Sequence, residues 1–88
     1  MKIPEWVILS AKDPELKSTV RLGRNGLTES IIQEIKIQLS ARSLVKIKLN
    51  RGFAVGSEQR KEIFSHLEES TTSTLVFSRG NVAVLWRS

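Results

Sequence analysis

The 88-residue sequence contains no cysteine, which excludes disulfide bridges, thiolate metal sites and a cysteine nucleophile. Histidine and aspartate each occur once, as His66 and as Asp13 beside a proline, so a serine–histidine–aspartate triad has no support. No second histidine or close acidic pair has the spacing of a metal site, and no Walker-type phosphate loop occurs. We therefore predict a protein that is not an enzyme, that takes no small-molecule substrate and that needs no cofactor. His66 is expected at the surface.

Long hydrophobic runs are also missing. The first fifteen residues contain an apolar run of only four, from Trp6 to Leu9, which is too short for a signal-peptide core or a membrane span. At 88 residues, of which 40% are hydrophobic, the chain has room for one domain with one core, spanning residues 1–88. We expect a single soluble domain in the cytoplasm, with no membrane partner.

Positive charge is concentrated in one part of the chain. The net charge is +5. The stretch from Lys17 to Arg51 has eight basic and two acidic residues, hence +6, whereas the remainder has six basic and seven acidic residues. Such a distribution favours a polyanionic partner for one half of the fold without identifying it.

Hydrophobic periodicity predicts the order helix, strand, helix, strand, helix, strand, strand. The helices are a short one up to Lys12 that Asp13-Pro14 ends, a second that runs from an N-cap at Thr28 to about Arg42, and a third that Ser57 caps. The strands are 19–22, Leu44–Leu49, and a hairpin of 74–78 and 82–87 around Gly80-Asn81.

Two structural details of this pattern stay open. Residues 1–15 form either the short helix or an early strand. Ile37 points away from the apolar stripe of its helix, so it is either partly exposed or covered by the N-terminal segment.

Strand–helix–strand units give parallel neighbours with right-handed crossovers, and a hairpin adds an antiparallel pair. We therefore predict an α/β fold, a two-layer domain with a mixed four-stranded sheet.

The turn Gly23-Arg24-Asn25-Gly26 lies between the first strand and the main helix. Glycines let a phosphate approach the backbone amides closely, because they carry no Cβ. The N-terminus of the following helix favours an anion, and the guanidinium of Arg24 suits phosphate oxygens. The GxxG loop of K-homology domains clamps a nucleic-acid backbone by the same means. Two glycines at this spacing are also common as simple turn residues, so the tetrapeptide alone is a weak signal.

Three separated motifs occur in the order found in one known family. They are Leu22-Gly-Arg-Asn-Gly-Leu-Thr-Glu29 before a long helix, Leu44-Val-Lys-Ile-Lys-Leu49, and the ending Gly80-Asn-Val-Ala-Val-Leu-Trp-Arg87. From about residue 16 to residue 88 the sequence resembles the CRM domain family, which includes the bacterial YhbY proteins. The resemblance implies an RNA-binding domain associated with precursors of the large ribosomal subunit, and a fold similar to the C-terminal domain of translation initiation factor three.

The resemblance also implies which residues contact RNA. The family's loop corresponds to Gly23, Arg24, Asn25 and Gly26, and its Lys-x-Lys strand to Lys46 and Lys48. The family's terminal Leu-Tyr-Arg becomes Leu85-Trp86-Arg87, so a tyrosine hydroxyl is lost here. The N-terminal segment departs from the longer basic helix common in the family, and no role is assigned to it.

Without the resemblance, the sequence leaves the role of the two strand lysines open and offers further candidates for RNA contact. Lys46 and Lys48 are either the solvated face of a strand or, with Arg21 on a neighbouring strand, part of an RNA-binding surface. Arg79 beside the hairpin turn and Arg87 near the terminus are further candidates. Trp6 and Trp86 are the aromatic residues that could stack on bases, but packing in the core or at a sheet edge is the simpler expectation.

Two other functions fit the basic charge. A nucleoid protein of the Alba type is also small, basic and similar in its α/β order, and it would bind duplex DNA; its usual basic loop motif is not found here. A protein-interaction adaptor would use the basic face to dock acidic partners.

Overall fold

The computed structural model of the protein describes residues 3–23, 27–50 and 56–87. Within these ranges, three helices and four strands follow one another in the predicted order. They are α1 (Glu5–Lys12), β1 (Val20–Leu22), α2 (Glu29–Arg42), β2 (Leu44–Leu49), α3 (Ser57–Thr71), β3 (Thr74–Arg79) and β4 (Val82–Trp86). None of these helices is long and apolar enough to cross a membrane.

The N-terminal segment forms a helix and not the alternative strand. Pro4 occupies its N-cap, and Asp13 at its C-cap turns the backbone to an extended conformation before Pro14. The carboxylate of Asp13 then accepts a hydrogen bond from the backbone N–H of Glu15 at 2.9 Å, which closes a local turn. The helix therefore ends where the Asp-Pro pair predicted.

Helix α2 has the boundaries expected from the sequence. The hydroxyl of Thr28 accepts a hydrogen bond from the backbone N–H of Ile31 at 3.2 Å and so caps the first turn. Ser43 ends the helix in a left-handed conformation with φ of 67°. The structure resolves the alternatives for Ile37, because this side chain is 63% exposed and α1 packs on the opposite face of the sheet.

Helix α3 begins one residue earlier than predicted. The N-cap is Gly56 and not Ser57, because the Gly56 carbonyl accepts the first helical hydrogen bond, from the N–H of Arg60 at 3.1 Å. At the other end, Thr72 adopts a left-handed conformation with φ of 52° and terminates the helix.

The four strands form one mixed sheet in the order β1-β2-β4-β3. Strand β1 is parallel to β2, with α2 as the crossover, and the two remaining pairs are antiparallel. The predicted α/β fold with a mixed four-stranded sheet is therefore confirmed. Strand β4 lies between β2 and β3, so the hairpin joins the rest of the sheet through its second strand.

Helices α2 and α3 pack against one face of this sheet. The main core lies between these two helices and the sheet. It consists of Val20, Leu22, Ile35, Leu39, Val45, Ile47, Leu49, Phe64, Leu67, Ala83 and Leu85. Strands β1, β2 and β4 contribute alternate residues to it, as expected for strands with one core-facing side, and Leu75 of β3 packs against it.

Helix α1 packs on the opposite face, which we call the outer face. It contacts β2 and β3, and buries Val7 and Ala11. Val84 and Trp86, which alternate with the core residues of β4, are also buried there, so packing of Trp86 is confirmed. The prediction that Trp6 also packs in the core or at a sheet edge is wrong. This side chain is 56% exposed, because it lies outside the buried stripe of its helix.

We predict that Thr28→Ala lowers the free energy of unfolding by about 1 kcal/mol, because the N–H of Ile31 loses its capping acceptor. Thr28→Ser keeps the hydroxyl and is the control, with a much smaller loss. Urea denaturation of the two variants measures the difference. Equal stability of the alanine and serine variants would contradict the capping role.

Candidate nucleic-acid interface

At the end of the sheet where β1 and β2 finish, the first residues after these two strands lie close to the β3–β4 turn. Gly23 follows β1 and Asn50 follows β2, and the backbone N–H of Asn50 donates to the carbonyl of Leu22 at 2.8 Å. The N–H of Leu49 donates to the carbonyl of Asn81, in the hairpin turn, at 2.7 Å. The start of the glycine turn therefore lies beside the end of β2 and close to the β3–β4 turn.

Gly23 is in close contact with its neighbour across this junction. A Cβ added at this position would lie 3.3 Å from the amide nitrogen of the Asn50 side chain, which is tighter than an ordinary van der Waals contact. The other predicted turn residues, Arg24, Asn25 and Gly26, lie outside the described residues. The described chain resumes at Leu27, which packs against the core, and Thr28 then caps α2.

Three exposed cations form a row across the outer face at the same end of the sheet. Arg21 pairs with Lys48, Lys48 pairs with Val82, and Val82 pairs with Arg79. Directly paired residues of neighbouring strands point to the same face, so Arg21, Lys48 and Arg79 share it with one valine between them. We call these three residues the basic row.

The basic row crosses all four strands. At the usual distance between neighbouring strands it extends over about 14 Å. The three cationic residues are exposed, so their charges meet solvent and any polyanion that approaches this face. The pairing of Arg21 with Lys48 agrees with their predicted positions on neighbouring strands, and the structure adds Arg79, from a third strand, to the same row.

Lys46 faces the same side of β2 as Lys48 but has a different environment. Its side chain is half-buried, and its Nζ donates a hydrogen bond to the backbone carbonyl of Leu16 at 2.7 Å. This bond joins the linker between α1 and β1 to the sheet. Lys46 therefore has a structural contact, whereas the side chain of Lys48 is exposed and forms no hydrogen bond or ion pair with another described residue.

Arg87 lies at the other end of the sheet. Its backbone N–H donates to the carbonyl of Ser43 at 2.9 Å, and the preceding residue, Trp86, pairs with Leu44. The basic row is at the opposite end of β4, next to Val82. The structure therefore does not bring Arg87 together with the other candidates.

One cation that the sequence analysis did not single out lies near the basic row. A cleft of about 190 Å³ between the end of α1 and the sheet is lined by Lys12 together with Lys46 and Arg79. Phe77 and Val82 supply apolar lining, and Asp13 is the one carboxylate among the lining residues. Lys12 had no sequence signal, because it belongs to the short helix outside the basic stretch.

Nothing in the described part of the chain indicates a metal centre. No group of three or more His, Asp or Glu side chains in these residues is close enough to hold a metal ion. His66 is exposed, as expected, and its Nε2 lies 3.3 Å from the hydroxyl oxygen of Ser70 one turn further along α3.

Comparison with known proteins gives one family. The model of the CRS1 / YhbY (CRM) domain matches residues 7–87. The chain is 32% identical over 80 residues to a probable RNA-binding protein of Methanocaldococcus jannaschii, a match that covers 91% of this chain and 58% of that protein. It is also 32% identical over 72 residues to an RNA-binding protein of Haemophilus influenzae, covering 82% of this chain and 70% of the relative. The chain thus spans little more than half the length of the archaeal relative.

A solved structure has a similar fold. The solution structure of a Staphylococcus aureus protein, described as hypothetical and as a candidate RNA-binding protein, superimposes with a TM-score of 0.70. The match covers 84% of this chain and 74% of that protein, at 27% sequence identity.

The different environments of Lys46 and Lys48 lead to a prediction about stability. Lys46→Met keeps most of the half-buried stem but removes the hydrogen bond to Leu16, so we expect it to lower the free energy of unfolding by about 1 kcal/mol. Lys48→Met, at an exposed position, should change it by less than about 0.5 kcal/mol. Chemical denaturation measures both, and equal effects would show that the Leu16 contact contributes nothing.

Proposed function

The chain belongs to the CRS1 / YhbY (CRM) domain family, and from this premise we propose that it binds RNA, with ribosomal RNA in precursors of the large subunit as its target. Binding takes place at the basic row and the glycine turn, and involves no catalytic turnover. The observation that carries the proposal is the basic row, in which Arg21, Lys48 and Arg79 lie on one exposed face beside the start of that turn.

The names of the relatives support RNA as the partner. Proteins from an archaeon and from a bacterium, each matched over more than four fifths of this chain, are both named as RNA-binding. The assignment to ribosomal RNA comes from the family resemblance of the sequence motifs, and it is the finer part of the proposal.

The charge arrangement supports binding to the RNA backbone. Cations that neutralise phosphates release condensed counterions, which makes affinity strong at low salt and weak at high salt. Because the basic row is exposed, its cations are accessible to phosphates. Backbone contacts of this kind fix position, while any base specificity needs other contacts.

The glycine turn supplies the second part of the proposed surface. It connects the end of β1, where Gly23 approaches Asn50, to the capped N-terminus of α2. The positive end of a helix dipole and free backbone amides favour an anion at such a position. We assign Arg24 to a phosphate contact here, with Gly23 and Gly26 providing the close approach of the backbone and Asn25 completing the turn.

We predict that Arg24→Ala lowers the dependence of log affinity on log salt by about 0.7 for single-stranded RNA, because one phosphate contact is lost. Fluorescence anisotropy at several salt concentrations measures this slope. Lys36→Ala, in the middle of α2 on the opposite face of the sheet, removes the same charge and should leave the slope nearly unchanged. A slope for Arg24→Ala equal to that of the wild type would exclude Arg24 from the interface.

We further predict that ribosomal RNA stays bound to the protein in the presence of an equal mass of duplex DNA. The measurement is a competition assay with labelled precursor RNA and either unlabelled competitor. Unlabelled RNA is the control and should displace the label. Equal displacement by duplex DNA would instead favour a nucleoid protein of the Alba type.

A further inference from the structure

A second cleft, of about 290 Å³, opens where the segment between α1 and β1 passes the start of β2. We call it the linker cleft. Three cations line it, Lys17, Arg42 and Lys46, and the remaining lining residues are Ser10, Leu16, Thr19 and Leu44. Three cationic residues and two hydroxyl-bearing residues therefore line the cleft, and none of the described lining residues carries a carboxylate.

The three cations come from different parts of the chain. Lys17 belongs to the linker between α1 and β1, Arg42 is the last residue of α2, and Lys46 lies in the middle of β2. Two hydrogen bonds between Lys46 and the linker hold the linker on both sides of Lys17. The Nζ of Lys46 donates to the carbonyl of Leu16 at 2.7 Å, and the N–H of Thr19 donates to the carbonyl of Lys46 at 3.1 Å. The backbone of Lys17 is thus held beside the sheet.

The charge of this cluster is not neutralised within the part of the chain that the structure describes. The acceptor of the Lys46 ammonium is a neutral carbonyl, and its other two donors remain for a ligand. Neither Lys17 nor Arg42 forms an ion pair with a described carboxylate. Like charges around one concave surface repel each other, and a bound anion relieves that repulsion.

Arg42 also has a purely structural explanation, since a cation in the last turn of a helix interacts favourably with the helix dipole. That explanation does not apply to Lys17, which lies in no helix, or to Lys46, which lines the same cleft from β2. All three line one cleft, and a tetrahedral anion with several acceptor oxygens would match three cationic and two hydroxyl-bearing residues.

We propose that the linker cleft binds a phosphate group of the RNA backbone, with Lys17 and Arg42 as new contact residues beside Lys46. The preference for phosphate follows from the cleft itself, while the assignment to RNA rests on the proposed function. Lys46 precedes Lys48 of the basic row by two residues on the same face of β2, a distance of about 7 Å along the strand. A bound RNA strand would therefore continue from the basic row along β2 into the linker cleft.

The test uses the double variant Lys17→Ala/Arg42→Ala. Its matched control is Lys36→Ala/Arg60→Ala, which also removes one lysine and one arginine, from α2 and α3, the helices that pack on the opposite face of the sheet. For single-stranded RNA we expect the first variant to bind about tenfold more weakly at low salt, with a salt slope lower by about 1.4. The control should bind within about twofold of the wild type. Circular dichroism checks folding, and Lys17→Ala alone, in the linker, serves if the double variant is unstable.

A second measurement separates the two sources of phosphate. Titration of inorganic phosphate, followed by NMR, should shift the backbone amide signals of residues 17 and 19 in the wild type and not in the double variant. Unchanged RNA affinity and slope in the double variant would overturn the inference while leaving the proposed function intact, even if the phosphate shifts are lost. A wild-type protein that binds no RNA would overturn the proposed function and the RNA assignment with it. An RNA defect equal to that of the control would also overturn the inference.

Discussion

The alternation of side chains along β2 is the constraint on which both faces of the molecule depend. This strand is paired on both sides, with β1 and with β4, so its register is fixed by two sets of hydrogen bonds. Val45, Ile47 and Leu49 enter the core, and the residues between them must then face the opposite side. A shift by one residue would bury the lysines and expose the apolar side chains, which makes the position of the charges a consequence of core formation.

The outer face is divided by helix α1 and by the linker that follows it. Where they cover the sheet, Val84 and Trp86 are buried and Lys46 is held by a carbonyl; beyond them, the basic row is exposed. The same strand thus supplies one lysine that fixes the linker and one that remains free. This arrangement joins the packing of the N-terminal segment to the proposed binding surface, because the Lys46 contact shapes the linker cleft.

Most of the fold could be predicted because its signals are local. The Asp-Pro pair ended α1, the hydroxyl of Thr28 marked the start of α2, and the Gly80-Asn81 pair marked the hairpin turn. The prediction that was wrong, for Trp6, and the alternatives that stayed open, for Ile37, depend on tertiary contacts. Periodicity could not say whether Ile37 would be covered, and it gave no sign that Trp6 would be left outside the buried stripe of a helix packed on the outer face.

The sequence by itself determined the elements, the core-facing side of each strand and the concentration of positive charge between Lys17 and Arg51. Only the tertiary structure decided which cations meet. Arg79 lies in one row with Arg21 and Lys48 because β4 pairs with both β2 and β3. Arg87 follows the last residue of β4 and therefore lies at the opposite end of the sheet. The linker cleft likewise depends on contacts between segments distant in the chain. The physical reason is that side-chain periodicity is set by the local backbone geometry, whereas strand order and register are set by long-range hydrogen bonding and by burial of a shared core.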